Sequence, residues 1–121
     1  MKSAPRVLIL EDEPLIAAML AEWLGELGCE TVGPAHTVPR ALELIESGAL
    51  DAAILDVSLR DQNCTPVADA LQARGVPLAF ATGRQPDGFA ARYAKAQWLS
   101  KPYEFATVRG ALGKLLGSLP A

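Results

Sequence analysis

Val7-Leu8-Ile9-Leu10-Glu11-Asp12-Glu13-Pro14 is the stretch on which the fold turns. Its four consecutive apolar residues read as a short buried strand. Three acids follow at once, and Pro14 suits the first turn of a helix. Beyond it, Ile16, Met19, Leu20, Trp23, Leu24 and Leu27 recur at the 3.6-residue spacing of an amphipathic helix, and Gly28 is suited to end it. A strand, an acidic cluster and a helix therefore follow one another without a linker.

The same grammar repeats downstream. Cys29 to Gly33 is a weakly signalled second strand. Thr37 caps a second helix whose inner face is Val38, Ala41, Leu42 and Ile45, ending near Gly48. Ala52-Ala53-Ile54-Leu55 is a third buried strand that runs directly into Asp56. Thr65-Pro66 reads as the cap and first residue of a third helix, with Val67, Ala68 and Leu71 facing inward and Gly75 closing it. Pro77 to Ala81 is a fourth strand. Residues 85–96, with Pro86, Gly88 and few large apolar side chains, support only a weak or irregular fourth helix. Gln97 to Ser100 is a short fifth strand. Phe105, Val108, Leu112, Leu115, Leu116 and Leu119 mark a last amphipathic helix, weakened by Gly110 and Gly113. Alternation of this kind predicts an α/β fold, a doubly wound five-stranded parallel sheet with helices on both faces.

The bulk properties agree. At 121 residues the chain is expected to be one domain over 1–121, with no output domain. Half of it is hydrophobic, enough for a packed core, and the net charge of −3 argues against a nucleic-acid partner. Cys29 and Cys64 lack CxxC spacing, and His36, the single histidine, does not complete a zinc site with them. They read as buried reduced thiols of a cytoplasmic protein. Met1 to Arg6 has no signal-peptide character, no run approaches membrane-spanning length, and no membrane partner is expected.

Parallel sheets of this type bind ligands at the carboxyl ends of their strands. Here the first strand ends in Glu11-Asp12, the third in Asp56, the fourth in Thr82-Gly83 and the fifth in Lys101-Pro102. Crowded carboxylates repel one another unless a cation neutralises them. Mg²⁺ fits that need, because it takes oxygen ligands and keeps waters and phosphate oxygens in its shell. Asp12 and Asp56 are short, stiff ligands, and Glu11 reaches the site through water. Lys101 offers a mobile point charge for phosphoryl oxygens, Thr82 a hydroxyl, and Gly83 a close backbone approach. Asp56 ends a central strand and is the nucleophile candidate, since a carboxylate attacks phosphorus without a general base.

The strings Leu8-Ile9-Leu10-Glu11-Asp12-Glu13-Pro14, Ile54-Leu55-Asp56-Val57-Ser58-Leu59, Phe80-Ala81-Thr82-Gly83 and Leu99-Ser100-Lys101-Pro102 resemble, in order, the four signatures of response-regulator receiver domains. The resemblance covers nearly the whole chain. It implies the CheY-like, flavodoxin-like strand order 2-1-3-4-5 and a two-component phosphorelay. It implies Asp56 as phosphoacceptor, Mg²⁺ on Asp12, Asp56 and the Ser58 backbone carbonyl with Glu11 assisting through water, and Thr82 and Lys101 on the phosphoryl group. The implied partners are a sensor histidine kinase or phosphotransfer protein and a downstream protein. Phe80-Ala81-Thr82-Gly83 is similar to an alphaproteobacterial subgroup named for that string, whose members often pair with HWE-type kinases. Two positions depart from the common pattern. Trp98 stands three residues before the lysine, where many receivers carry a Tyr or Phe switch, and Gly83 replaces the alanine common beside the switch threonine. The bulk of the indole argues for one fixed rotamer. Ser58 and Arg84, just beyond Asp56 and Thr82, are expected to modulate the lifetime of the phosphorylated state.

Each motif alone has a plainer explanation. Asp12 and Glu13 suit a helix N-terminus, and Thr82-Gly83 and Lys101-Pro102 suit surface turns. A carboxylate directly after an apolar strand is harder to dismiss, because its desolvation needs compensation. Two rival functions remain at this stage. One is a receiver-like interaction module that takes no phosphate. The other is a Mg²⁺-dependent phosphoryl-transfer enzyme, which would need an Asp-x-Asp pair where the chain has Asp56-Val57-Ser58.

Overall fold

A computed structural model describes residues 4–59, 63–83, 93 and 96–119. In chain order its elements are β1 (Arg6–Leu10), α1 (Pro14–Glu26), β2 (Glu30–Ala35), α2 (Val38–Ser47), β3 (Ala52–Asp56), α3 (Thr65–Ala73), β4 (Leu78–Thr82), β5 (Gln97–Ser100) and α4 (Phe105–Leu116). The five strands are all parallel, in the order β2-β1-β3-β4-β5. The expected sheet and strand order are therefore present, with four helices among the described residues. The weak helix expected within 85–96 falls almost wholly outside those residues.

Side chains alternate across the sheet and build two cores. On one face Leu8, Leu10, Ala53, Leu55 and Phe80 pack under α2 and α3, together with Tyr93. On the other, Val7, Ile9, Ile54, Ala79 and Leu99 pack under α1 and α4. β3 and β4 are buried at every position, as a central strand covered on both sides must be.

Boundaries differ from the expectation where a local competitor wins. β2 begins at Glu30 and runs on to Ala35, through Pro34. It is an edge strand, so the missing proline N–H breaks no central ladder. The register steps from Leu8↔Val32 to Leu10↔Ala35, placing one extra residue in β2 at this bulge. Gly33 takes φ +96° there, and a Cβ on it would lie 2.6 Å from the Ala35 amide nitrogen.

α3 starts at Thr65, with Cys64 in the capping position. The Thr65 hydroxyl and N–H both donate to Asn63 Oδ1, at 2.6 and 2.9 Å, so that hydroxyl is already engaged. Thr37 does cap α2, accepting from the Arg40 N–H at 3.3 Å. α4 stops at Leu116, where Gly117 turns left-handed, so Leu119 packs on the core from beyond the helix.

Candidate functional site

The carboxyl ends of β1, β3, β4 and β5 deliver polar groups to one rim of an otherwise apolar sheet. Glu11, Asp56 and Thr82 are the buried polar residues among those described. Asp56 is the last residue of β3, seated between the ends of β1 and β4, and the Val57 N–H that follows it donates to the Ala81 carbonyl at 2.9 Å. Glu11 is held by its own backbone, whose N–H donates to the Ala35 carbonyl at 2.9 Å. Lys101 follows β5, and its N–H donates to the Thr82 carbonyl at 3.1 Å.

These anchors bring the charged ends together. Carboxylate oxygens of Glu11, Asp12 and Asp56 lie within 4.8 Å of one another. Lys101 Nζ sits 3.0 Å from Asp56 Oδ2 and 3.3 Å from Glu11 Oε2. The Ser58 N–H donates to Asp56 Oδ1 at 2.8 Å. Asp56 Oδ2 is buried, and its partner among the described residues is the Lys101 ammonium at 3.0 Å, held as an ion pair. A buried oxygen satisfied only by charge, beside two more carboxylates, suits a hard divalent cation, and this donor set fits Mg²⁺.

The electrostatics show the strain of such crowding. Burial pushes Glu11 up to about 7, the Asp56 charge adds to the rise, and Lys101 opposes it. Burial alone would depress Lys101, but Asp56 and Glu11 outweigh it and hold the ammonium protonated. Tyr103 is pushed up by burial and by the same two carboxylates, so its phenol stays protonated and able to donate.

Of the residues expected at the site, Glu11, Asp12, Asp56 and Lys101 converge, and Thr82 lies on the same rim. Ser58 reaches Asp56 through its N–H, and Gly83 is exposed at the end of β4. Trp98 sits further back along β5, half-buried, with its ring 5.1 Å from that of Phe80. Arg84 lies outside the described residues. Glu11 has no exposed surface and pairs directly with Lys101.

Two neighbours were not anticipated. The Tyr103 hydroxyl is 3.5 Å from Glu11 Oε2, and His36 Nδ1 is 2.9 Å from the Glu11 carbonyl oxygen. These contacts join residues 92 and 25 positions apart, and the only sequence hint was that Tyr103 follows Lys101-Pro102.

A buried acidic cluster with a lysine, at the carboxyl rim of a 2-1-3-4-5 sheet, defines a phosphorelay receiver. The chain belongs to the response regulator receiver domain family, whose model matches residues 7–112. Such domains receive signals in two-component systems from histidine kinases or phosphotransfer proteins, and typically bind Mg²⁺ at an acidic pocket.

Among solved structures, it is similar to SdrG from Sphingomonas melonis Fr1, at 46% identity and TM-score 0.81, covering 96% of this chain and 99% of that one. The BeF3-activated conformation of SdrG, from Pseudomonas melonis Fr1, matches with the same identity and coverage and a TM-score of 0.78. The phyllosphere-induced regulator PhyR of Methylorubrum extorquens is 32% identical over 118 residues, covering 93% of this chain and 44% of PhyR. The transcriptional regulatory protein PdtaR of Mycobacterium tuberculosis is 32% identical over 111 residues, covering 88% of this chain and 54% of PdtaR. The chain thus spans about half the length of these curated relatives, which are regulators by name rather than enzymes. No helix among the described residues is long and apolar enough to cross a membrane.

Proposed function

We propose that Asp56 is the phosphoacceptor of this receiver, taking a phosphoryl group from a phosphohistidine of a sensor histidine kinase, of the HWE type, or of a phosphotransfer protein. The observation that carries the reading is Asp56 Oδ2, buried, without a hydrogen bond, and facing Lys101 Nζ at 3.0 Å beside Asp12 and Glu11. An Asp56 carboxylate oxygen attacks phosphorus as the P–N bond breaks, and the bonding electrons stay on the imidazole nitrogen. Asp12, Asp56 and the Ser58 carbonyl would hold Mg²⁺, with Glu11 assisting through water. Bound there, the ion offsets the negative charge that repels an anionic donor and stabilises the transferring phosphoryl group.

The chain's own groups then do the switching. Lys101 moves its charge from Asp56 to the new phosphoryl oxygens, and Thr82 donates its hydroxyl to them. The carboxyl ends of β3 and β4, at Asp56 and Thr82, are pulled with them, which shifts the population of a partner-binding surface. Ser58 and Arg84, just beyond Asp56 and Thr82 in the sequence, modulate the lifetime of the phosphorylated state. A cytoplasmic location accords with kinase partnership and with two free, buried thiols. The BeF3-activated state of SdrG supports the reading, because beryllofluoride matches a phosphoryl group in shape and charge.

Intact mass after incubation with acetyl phosphate and Mg²⁺ tests it. One phosphoryl group is expected on the parent protein and none on Asp56→Asn. An unmodified parent, or equal labelling of the variant, would overturn it and leave an interaction module that takes no phosphate.

A further inference from the structure

Glu11 is the most deeply buried charge-bearing side chain at the rim, with no exposed surface. Its Oε2 faces two donors, Lys101 Nζ at 3.3 Å and the Tyr103 hydroxyl at 3.5 Å, while its Oε1 accepts from the Glu13 N–H at 3.4 Å. Lys101 is the short contact and Tyr103 the long one. A carboxylate this buried must keep partners, and losing the ammonium of Lys101 is costly unless another donor closes in. Yet the proposed switch withdraws that ammonium toward the phosphoryl oxygens. Tyr103 is the side-chain donor left on Glu11 Oε2 once it goes. Tyr103 is itself buried, with its ring 5.8 Å from Lys101 Nζ, so its hydroxyl is aimed at this spot.

We propose that Tyr103 is a positioning residue of the switch: its hydroxyl is the reserve partner of Glu11 and lowers the cost of releasing Lys101 to the phosphoryl group. The inference rests on the reading of Asp56 as phosphoacceptor. It concerns Glu11 and Lys101 alone and does not require Tyr103 to touch the phosphoryl group. Removing the hydroxyl leaves Glu11 dependent on Lys101, so the phosphorylated state is disfavoured while the resting state loses little.

Tyr103→Phe removes one oxygen and keeps the ring. Phosphorylation by acetyl phosphate with Mg²⁺, followed by intact mass, is expected to slow about fivefold or more. In a Glu11→Gln background, where there is no buried charge to compensate, the same substitution should change the rate by less than about twofold. Equal losses in both backgrounds would place Tyr103 outside this route, and so would no loss in either. The carboxyl ¹³C signal of Glu11, read by NMR without donor or metal, judges the contact separately. It should move in Tyr103→Phe while amide signals distant from the rim stay in place, and an unmoved signal overturns the proposal. A parent protein that takes no phosphate would instead overturn the reading of Asp56, with the NMR result still deciding whether Tyr103 engages Glu11.

Discussion

Among the described residues, Lys101 is the ammonium shared by two buried carboxylates, and its removal should expose how much the rim depends on it. Lys101→Ala leaves Glu11 and Asp56 facing each other without a cation. In metal-free buffer this is expected to cost about 1–3 kcal/mol, limited because Glu11 can take up a proton. Divalent cation then replaces the missing charge, so the rise in Tm on adding Mg²⁺ should be larger for the variant than for the parent. Equal rises would show that the ammonium and the cation do not share one pocket. A backbone counterpart sits at Gly33. With φ +96° and the Ala35 nitrogen 2.6 Å from a would-be Cβ, Gly33→Ala should destabilise by about 1–3 kcal/mol in thermal or urea denaturation, without altering Asp56 chemistry. At this scale the sequence named the residues that meet at the rim, because Glu11, Asp56 and Thr82 are each the first polar residue after an apolar run, and Asp12 and Lys101 each the second. It did not reveal Tyr103 or His36, whose roles depend on contacts across 92 and 25 positions that no local pattern encodes.

Among the elements, β4 carries the link between core and rim. Phe80 has no exposed surface and lies between Tyr93, 5.0 Å away by ring centres, and Trp98, 5.1 Å away. Tyr93 is in turn tied to α3 by its hydroxyl, which donates to Asp69 at 2.7 Å. Phe80→Ala should therefore cost about 3–5 kcal/mol, read from urea denaturation, since both neighbouring rings lose a face at once. A loss below about 1 kcal/mol would mean the cluster collapses to fill the space. Trp98 is half-buried and packs against this core. The strands and helices were legible because apolar runs and 3.6-residue stripes are strong signals. Their ends were less so: Asn63 takes the hydroxyl expected to cap α3, and the edge position of β2 lets it continue through Pro34.

For the molecule as a whole, the two cores bury both cysteines. Cys64 is 1% exposed, and burial, helped by the Asp56 charge, pushes its thiol up to about 11 from an ordinary 9.0. A thiol that holds its proton more tightly when folded favours the folded state fully below pH 9. That contribution is lost as pH rises from 9 to 11, an effect of about 2–3 kcal/mol. Cys64→Ala should flatten the alkaline part of the stability–pH curve, and an unchanged slope would assign the loss to other groups. The architecture was the most legible level of all, since strands alternating with helices leave few ways to close a sheet.

The end of the sheet opposite Asp56 is fastened through one residue. Arg6 donates through Nε to Glu30 at 2.9 Å and through Nη1 to the Ala49 carbonyl at 2.8 Å, while its own N–H donates to Asp51 at 2.7 Å. The starts of three neighbouring strands are thereby stitched to a common point. Because these ties hold the starts of β1, β2 and β3, the rearrangement that follows phosphorylation is expected at the opposite, carboxyl end of the sheet.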